Sequence, residues 1–193
     1  MFIVFFIIAA LLYPGGNYLD KTTTGFSILH NYWCDLLNPL SHNDQPNPSR
    51  PYAITATIIL CSSLIVFWSY IPMAFDTTKF NKFTIQIAGT IGMLTGMLIF
   101  TRFHSEAITF AGLFGGIAFI ATFMGLYKTK WYKLFWFGIV CLVLGIITFT
   151  IYKTRIALII LPMIQKVTLG LCLIWIIAID IRMGNKLKMQ KSK

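Results

Sequence analysis

Residues 25–40, GFSILHNYWCDLLNPL, gather an imidazole, a thiol, a carboxylate and amides in a chain otherwise close to hydrocarbon. His30 and Asp35 are types that move protons. Cys34 and Ser27 are potential nucleophiles. On a helix, Ser27, His30, Asn31, Cys34, Asp35 and Asn38 share one stripe, while Leu29, Tyr32, Trp33, Leu36, Leu37 and Leu40 share the opposite one. Both stripes have the 3.6-residue period, which predicts an amphipathic helix over 25–38. Pro39 disfavours helical geometry at Asn38 and ends it there. Helices that lie on lipid headgroups usually carry Lys and Arg on the polar face, and this one carries neither. Two placements stay open: a wet stripe on the leaflet surface, or a stripe turned over the mouth of a helix bundle.

A second polar group is RFHSEA at 102–107. Ser105 is placed to cap a following helix, and Glu106 in its first turn meets the positive helix end. Arg102 and His104 have no such role. His30, Asn31, Asp35, Arg50, Arg102, His104 and Glu106 therefore form a candidate binding cluster, and Arg beside His suits phosphate or carboxylate. As catalysis, His30 or His104 would be the general base, oriented by Asp35, in lipid ester or amide cleavage or headgroup transfer. Whether the chain is an enzyme stays open. A Cys-His-Asp triad on one helix face points its members roughly parallel, which is poor geometry for attack. A metal needs three or four ligands; His30, His104 and Asp35 supply three, but the HxxxH pair of membrane zinc hydrolases is absent. No metal or cofactor is expected, and no P-loop, GxGxxG or paired-carboxylate pattern occurs.

These residues must be held by elements that composition makes plain. The chain has 193 residues, 57% hydrophobic and 11% charged, against about 25% charged in soluble domains. Its mean hydropathy is +0.75. Most of its surface is therefore solvated by lipid. The net charge of +10 is spread between apolar blocks, which excludes a nucleic-acid footprint. Four cysteines show no CxxC spacing, so neither a zinc knuckle nor a disulfide framework follows.

Six apolar blocks stand out, at 2–13, 52–75, 83–100, 107–127, 131–152 and 156–181. Spanning takes roughly 20 helical residues. The last five qualify, and the first covers only about 20 Å. Lacking a basic n-region, it reads as a short first span stopped by Pro14-Gly15-Gly16. The expected architecture is all-α: one domain of six transmembrane helices with an outer loop at 14–50. With the N-terminus cytoplasmic, ten Lys and Arg fall on inner segments and five on outer ones, so both termini are placed inside a bacterial inner membrane. Pro51 starts the second span, with Ser49 as a candidate N-cap. Gly89, Gly92 and Gly96, with Gly112 and Gly116, give close helix packing or a homo-oligomer face on spans three and four.

Lys166 stands alone inside the last block, eleven residues past Arg155 and sixteen before Arg182. That is about 16 Å and 24 Å along a helix, too far for snorkelling. A charge there costs roughly 2.5–3.5 kcal/mol, so Lys166 is expected to be paired. Its partner would be a ligand anion or Glu106 at the floor of an outer pocket, or carbonyls freed by Pro162.

YPGG at 13–16, the 25–39 stretch, six spans and N-P-x-R before the second span resemble a family of small bacterial six-span membrane proteins of unassigned function. These in turn are similar to the Frag/DRAM/Sfk superfamily, whose first outer loop carries an Asn-x-x-Ser-Asp-type motif. Asn31-Tyr32-Trp33-Cys34-Asp35 occupies that place, with Cys34 where Ser is usual. The resemblance implies a six-helix membrane protein with a lipid-associated role. The expected function is recognition of a lipid or other amphiphile at the outward face. The alternatives are a lipid hydrolase or headgroup transferase, a small-solute transporter using Lys166, and a membrane scaffold for a protein partner.

Overall fold

The computed structural model describes residues 1–191, and these fold as an all-helical bundle. Its helices are α1 (Phe2–Leu12), α2 (Arg50–Tyr70), α3 (Lys79–Gly96), α4 (His104–Lys128), α5 (Tyr132–Thr154) and α6 (Leu161–Lys191). Short 3-10 turns extend α2 over Ile71–Ala74 and α3 over Met97–Phe100, and one precedes α6 at Leu158–Ile160. Five helical stretches are long and apolar enough to cross a membrane. This is the build of an integral membrane protein. At about 1.5 Å per residue α1 reaches only about 16 Å.

Successive loops alternate between two ends. One end carries a compact cap, residues 14–49, with the α3–α4 and α5–α6 turns beside it. At the other, Lys186 of α6 donates to the Asp76 carboxylate at 2.9 Å and to the Ala74 carbonyl at 2.9 Å. There the Asp76 amide also donates to Thr129 Oγ1 at 2.9 Å, joining the α2–α3 and α4–α5 turns.

Two cores follow. Toward the lysine-rich end, Trp68, Ile85, Phe123, Leu126, Trp175 and Ile179 are buried in one cluster. Phe119 stacks on Trp175 with ring centroids 5.0 Å apart. Lipid tails are as apolar as these rings, so fit and interhelical hydrogen bonds hold the contact more than water exclusion does. Gly89 makes room for the Trp68 indole: a Cβ there would stand 2.3 Å from it. Gly92 lets α3 approach the α4 backbone, where a Cβ would meet the Gly115 nitrogen at 3.2 Å. Polar clasps cross the helices, with Asn81 Nδ2 donating to the Ala121 carbonyl at 2.9 Å and Trp175 Nε1 to the Leu134 carbonyl at 2.7 Å. The second core lies under the cap, where Phe6, Ala9 and Tyr13 of the first segment meet Leu36, Leu37, Ala53 and Ala56.

Three expectations need correction. The 25–38 helix is absent; residues 28–30 form a turn and only Trp33–Leu37 is helical, as a 3-10 turn. Short polar side chains captured the backbone donors that a helix would have used, as the Asn31 and Asp35 bonds below show. Its apolar stripe is split, with Leu36 and Leu37 buried and Leu29 and Leu40 exposed. Next, Ser49 holds the N-cap position of α2 as expected, but its Oγ donates to the Leu36 carbonyl at 3.2 Å and caps nothing. Helix α4 begins at His104 with no side-chain cap, so Ser105 lies inside the helix. Pro51 does sit in the first turn of α2. Finally, the last block is broken. Arg155 and Ala157 adopt left-handed φ of 60° and 61°, so α6 begins at Leu161 and Lys166 lies about 7–8 Å into it, near the cap and not at mid-span.

Candidate functional site

The cap is organised around Asp35, which is 4% exposed, and Asn31, which is fully buried. Asp35 Oδ2 accepts from the Tyr32 amide at 2.8 Å and from Asn31 Nδ2 at 3.1 Å. Asn31 Nδ2 also donates to the Gly16 carbonyl at 2.8 Å, and its Oδ1 accepts from the Ser27 amide at 2.9 Å. Asn31 thus ties the 14–25 loop to the 25–37 segment. Gly16, at φ +77°, runs so close to 42–43 that a Cβ would stand 2.6 Å from the Asn43 nitrogen. Asn47 closes the cap from below, with Nδ2 donating to the Asn38 carbonyl at 2.9 Å and the Asp35 carbonyl at 3.2 Å. Buried amides that satisfy several carbonyls at once fix a loop as firmly as a ladder fixes a strand.

His42 was missed by the sequence reading. Its Nε2 lies 3.2 Å from Asp35 Oδ1, without the alignment of a hydrogen bond, so the contact is a charge pair whenever the imidazole holds its second proton. The His42 amide donates to the Tyr13 hydroxyl at 3.2 Å. Nothing periodic marks His42; its only signal is the turn-forming run SHNDQPNP around it. His30, by contrast, is exposed. Asp35 therefore stands against His42, and against neither His30 nor His104.

Lys166 clamps the cap to α6. Its amine donates to the Asn31 carbonyl and, at 3.2 Å, to the Pro162 carbonyl, and lies 5.5 Å over the Phe26 ring. The Leu158 carbonyl near Pro162 accepts from the Tyr32 hydroxyl at 3.3 Å. The pairing expected for Lys166 is present, but with backbone carbonyls; neither Glu106 nor an open anion site receives it.

Beside the cap opens a crevice of about 400 Å³, with Arg50 on one side and Arg102 and His104 on the other. Cys34, Leu37, Asn38 and Pro39 supply the cap wall, and Ile99, Phe100 and Thr101 the wall from the end of α3. Arg50 Nε donates to the Leu37 carbonyl at 3.1 Å, which fixes the guanidinium and leaves its two terminal nitrogens. His104 Nδ1 donates to the Ile99 carbonyl at 2.7 Å, which fixes the ring at the edge of the crevice. Arg102 lies over the Phe103 ring at 4.8 Å. Of the candidate cluster, then, Arg50, Arg102 and His104 converge. Asn31 and Asp35 lie behind them in the cap scaffold, Lys166 anchors that scaffold, and His30 and Glu106 are exposed and do not line the crevice.

Burial, with the Asp35 charge beside it, pushes the Cys34 thiol up to about 12. A thiol so held is a neutral wall atom at ordinary pH. Burial likewise raises the Tyr32 phenol. Among the described residues no three His, Cys, Asp or Glu side chains stand together as a metal site would need. No family model, curated protein or solved structure matches the chain. Function is therefore read from the chemistry of this crevice.

Proposed function

We propose that the protein is a six-span protein of the bacterial inner membrane, with α1 as a short first span and both termini cytoplasmic. Its crevice takes the anionic headgroup of a lipid or other amphiphile at the outward face. The observation that carries this reading is the convergence of Arg50, Arg102 and His104 on one opening with no acidic residue in its lining. Guanidinium groups pair with phosphate or carboxylate through parallel N–H bonds. Leu37, Ile99 and Phe100 offer an apolar wall for the first carbons of a chain, and the volume is within the usual range for small-ligand sites. Kinship with the Frag/DRAM/Sfk superfamily would then give the Asn31–Asp35 motif a scaffold role, holding the crevice wall instead of touching ligand.

The test is photo-crosslinking of a diazirine-bearing fatty acid to the full chain in phosphatidylcholine nanodiscs. Adducts should concentrate in peptides covering 34–40 and 97–104. A charge-assisted hydrogen bond contributes roughly 1.5–3 kcal/mol, so Arg50→Gln with Arg102→Gln should cut labelling by about tenfold or more. Labelling spread evenly over the span faces and indifferent to both arginines would refute the reading.

The enzyme reading has less support, because no carboxylate stands beside His104 and the Cys34 thiol is held neutral. The transport reading meets a spent Lys166 amine and the aromatic layer of Trp68 and Trp175. The scaffold reading has one observation in its favour, the exposed apolar tips Tyr18, Leu19, Ile28 and Leu29 on the cap. For a homo-oligomer, Gly89 and Gly92 are already occupied within the bundle, which leaves the α4 face at Gly112 and Gly116.

A further inference from the structure

At the end remote from the cap, α4 and α5 border a groove of about 370 Å³. Ile120, Phe123 and Met124 of α4 and Phe135 and Ile139 of α5 wall it, and Lys128 stands at its end. Ile120 and Met124 are 58% and 49% exposed, so the groove opens sideways to the lipid. Its walls are almost wholly apolar, which fits a hydrocarbon chain, and Tyr127 joins Lys128 at its end.

The charge at its mouth is one-sided. Lys128 closes α4, Lys130 follows in the turn, and Lys133 lies in the first turn of α5. The first turn of α5 has no acidic residue. The positive dipole end of α5 and the negative end of α4 meet in this turn and offset each other, so the charge there is that of the lysines. Between Glu106 and Asp180 the sequence holds no acid at all. The Asp76 carboxylate at this end is already bound by Lys186. A shallow apolar groove that ends in lysines is complementary to an anionic amphiphile.

We propose that the α4–α5 groove is a binding site for an anionic membrane phospholipid, with one acyl chain between Met124 and Phe135 and the phosphate on Lys128. This site is separate from the Arg50–Arg102–His104 crevice and does not depend on the reading given to it. A single lysine near an anionic headgroup is worth about 1 kcal/mol, or about fivefold in affinity.

Native mass spectrometry of the full chain, released from detergent after incubation with equimolar phosphatidylglycerol and phosphatidylcholine, reads the preference directly. The unaltered chain should retain phosphatidylglycerol over phosphatidylcholine by about fivefold. Lys128→Gln should bring the ratio near parity, while Lys130→Gln should leave most of it. Ile120→Trp, an exposed position where the indole fills the slot, should reduce retention of both lipids. Arg50→Gln with Arg102→Gln should leave all of this unchanged, which separates the groove from the crevice. An unaltered ratio in Lys128→Gln, equal losses for Lys128→Gln and Lys130→Gln, or full retention in Ile120→Trp would each overturn the proposal.

Discussion

Trp68, Phe119, Phe123 and Trp175 meet between the helices through ring faces and edges, whereas Asn31, Asp35 and Asn47 meet in the cap through amide and carboxylate bonds. The first region lies where lipid surrounds the helices, so shape must do what water exclusion does in soluble cores. The second lies outside the spans, where directed bonds can be satisfied by side chains held in turns. Damage should therefore differ in kind. A volume error in the aromatic layer forces whole helices apart, while a lost bond in the cap loosens one loop and leaves the bundle standing.

The largest effect is expected at Gly89. Gly89→Leu drives a branched side chain into the Trp68 indole, where even Cβ would stand at 2.3 Å. Overpacking usually costs 1–3 kcal/mol, and this contact should exceed about 3 kcal/mol, read as loss of the folded fraction in a detergent thermal scan. Gly116→Ala, whose Cβ meets nothing within 4 Å, should be close to neutral and is the control. If both variants behave alike, the tight packing assigned to the layer is wrong.

Asp35→Ala comes next. It leaves the Tyr32 amide and an Asn31 donor without their acceptor, at about 2–3 kcal/mol in all. Hydrogen exchange should quicken across 31–38 while amides around Trp175 stay protected; global unfolding would blur the division between the two regions. Lys166→Met removes the clamp to α6 but keeps the cap's own bonds. A loss of about 1–2 kcal/mol should appear as faster proteolysis within 14–30 at unchanged helix content.

The last effect is absent at neutral pH and appears only in alkali. Cys34 has a folded value of about 12 against an ordinary 9.0, so folding favours its neutral thiol. That contribution is whole below about pH 9 and is lost as pH rises toward 12. Tyr32, raised above its ordinary 10.0, acts in the same direction. Exchange protection in the cap should fall above pH 9 before that of the aromatic layer does, and Cys34→Ala should flatten part of the decline. Simultaneous loss in both regions would count against the cap as an independent unit.

The spans were legible because lipid imposes a length and a composition that any window of residues displays. Their ends were less so. Arg155 and Ala157 turn the chain left-handed with no glycine to announce it, so 156–181 read as one helix and Lys166 was placed too deep. The cap was hardly legible. Its residues repeat at 3.6 by chance of type, while its structure depends on Asn31 reaching Gly16 and on Asp35 meeting His42, contacts that no local pattern encodes. Arg50, Arg102 and His104 were recoverable because topology alone put them at one end.

The aromatic layer also sets where an electrical potential would be felt. A voltage across a bilayer falls through its driest slab, at about 2.3 kcal/mol per charge per 100 mV. Trp68, Ile85, Leu126, Trp175 and Ile179 lie in that slab, and the Asp180 carboxylate follows Ile179 at its edge. Lys166 stays on the cap side, held by the Asn31 carbonyl, and Lys186 stays on the far side with Asp76. A field across the layer would therefore act on the bundle at its two rims, where Lys166 and Asp180 stand.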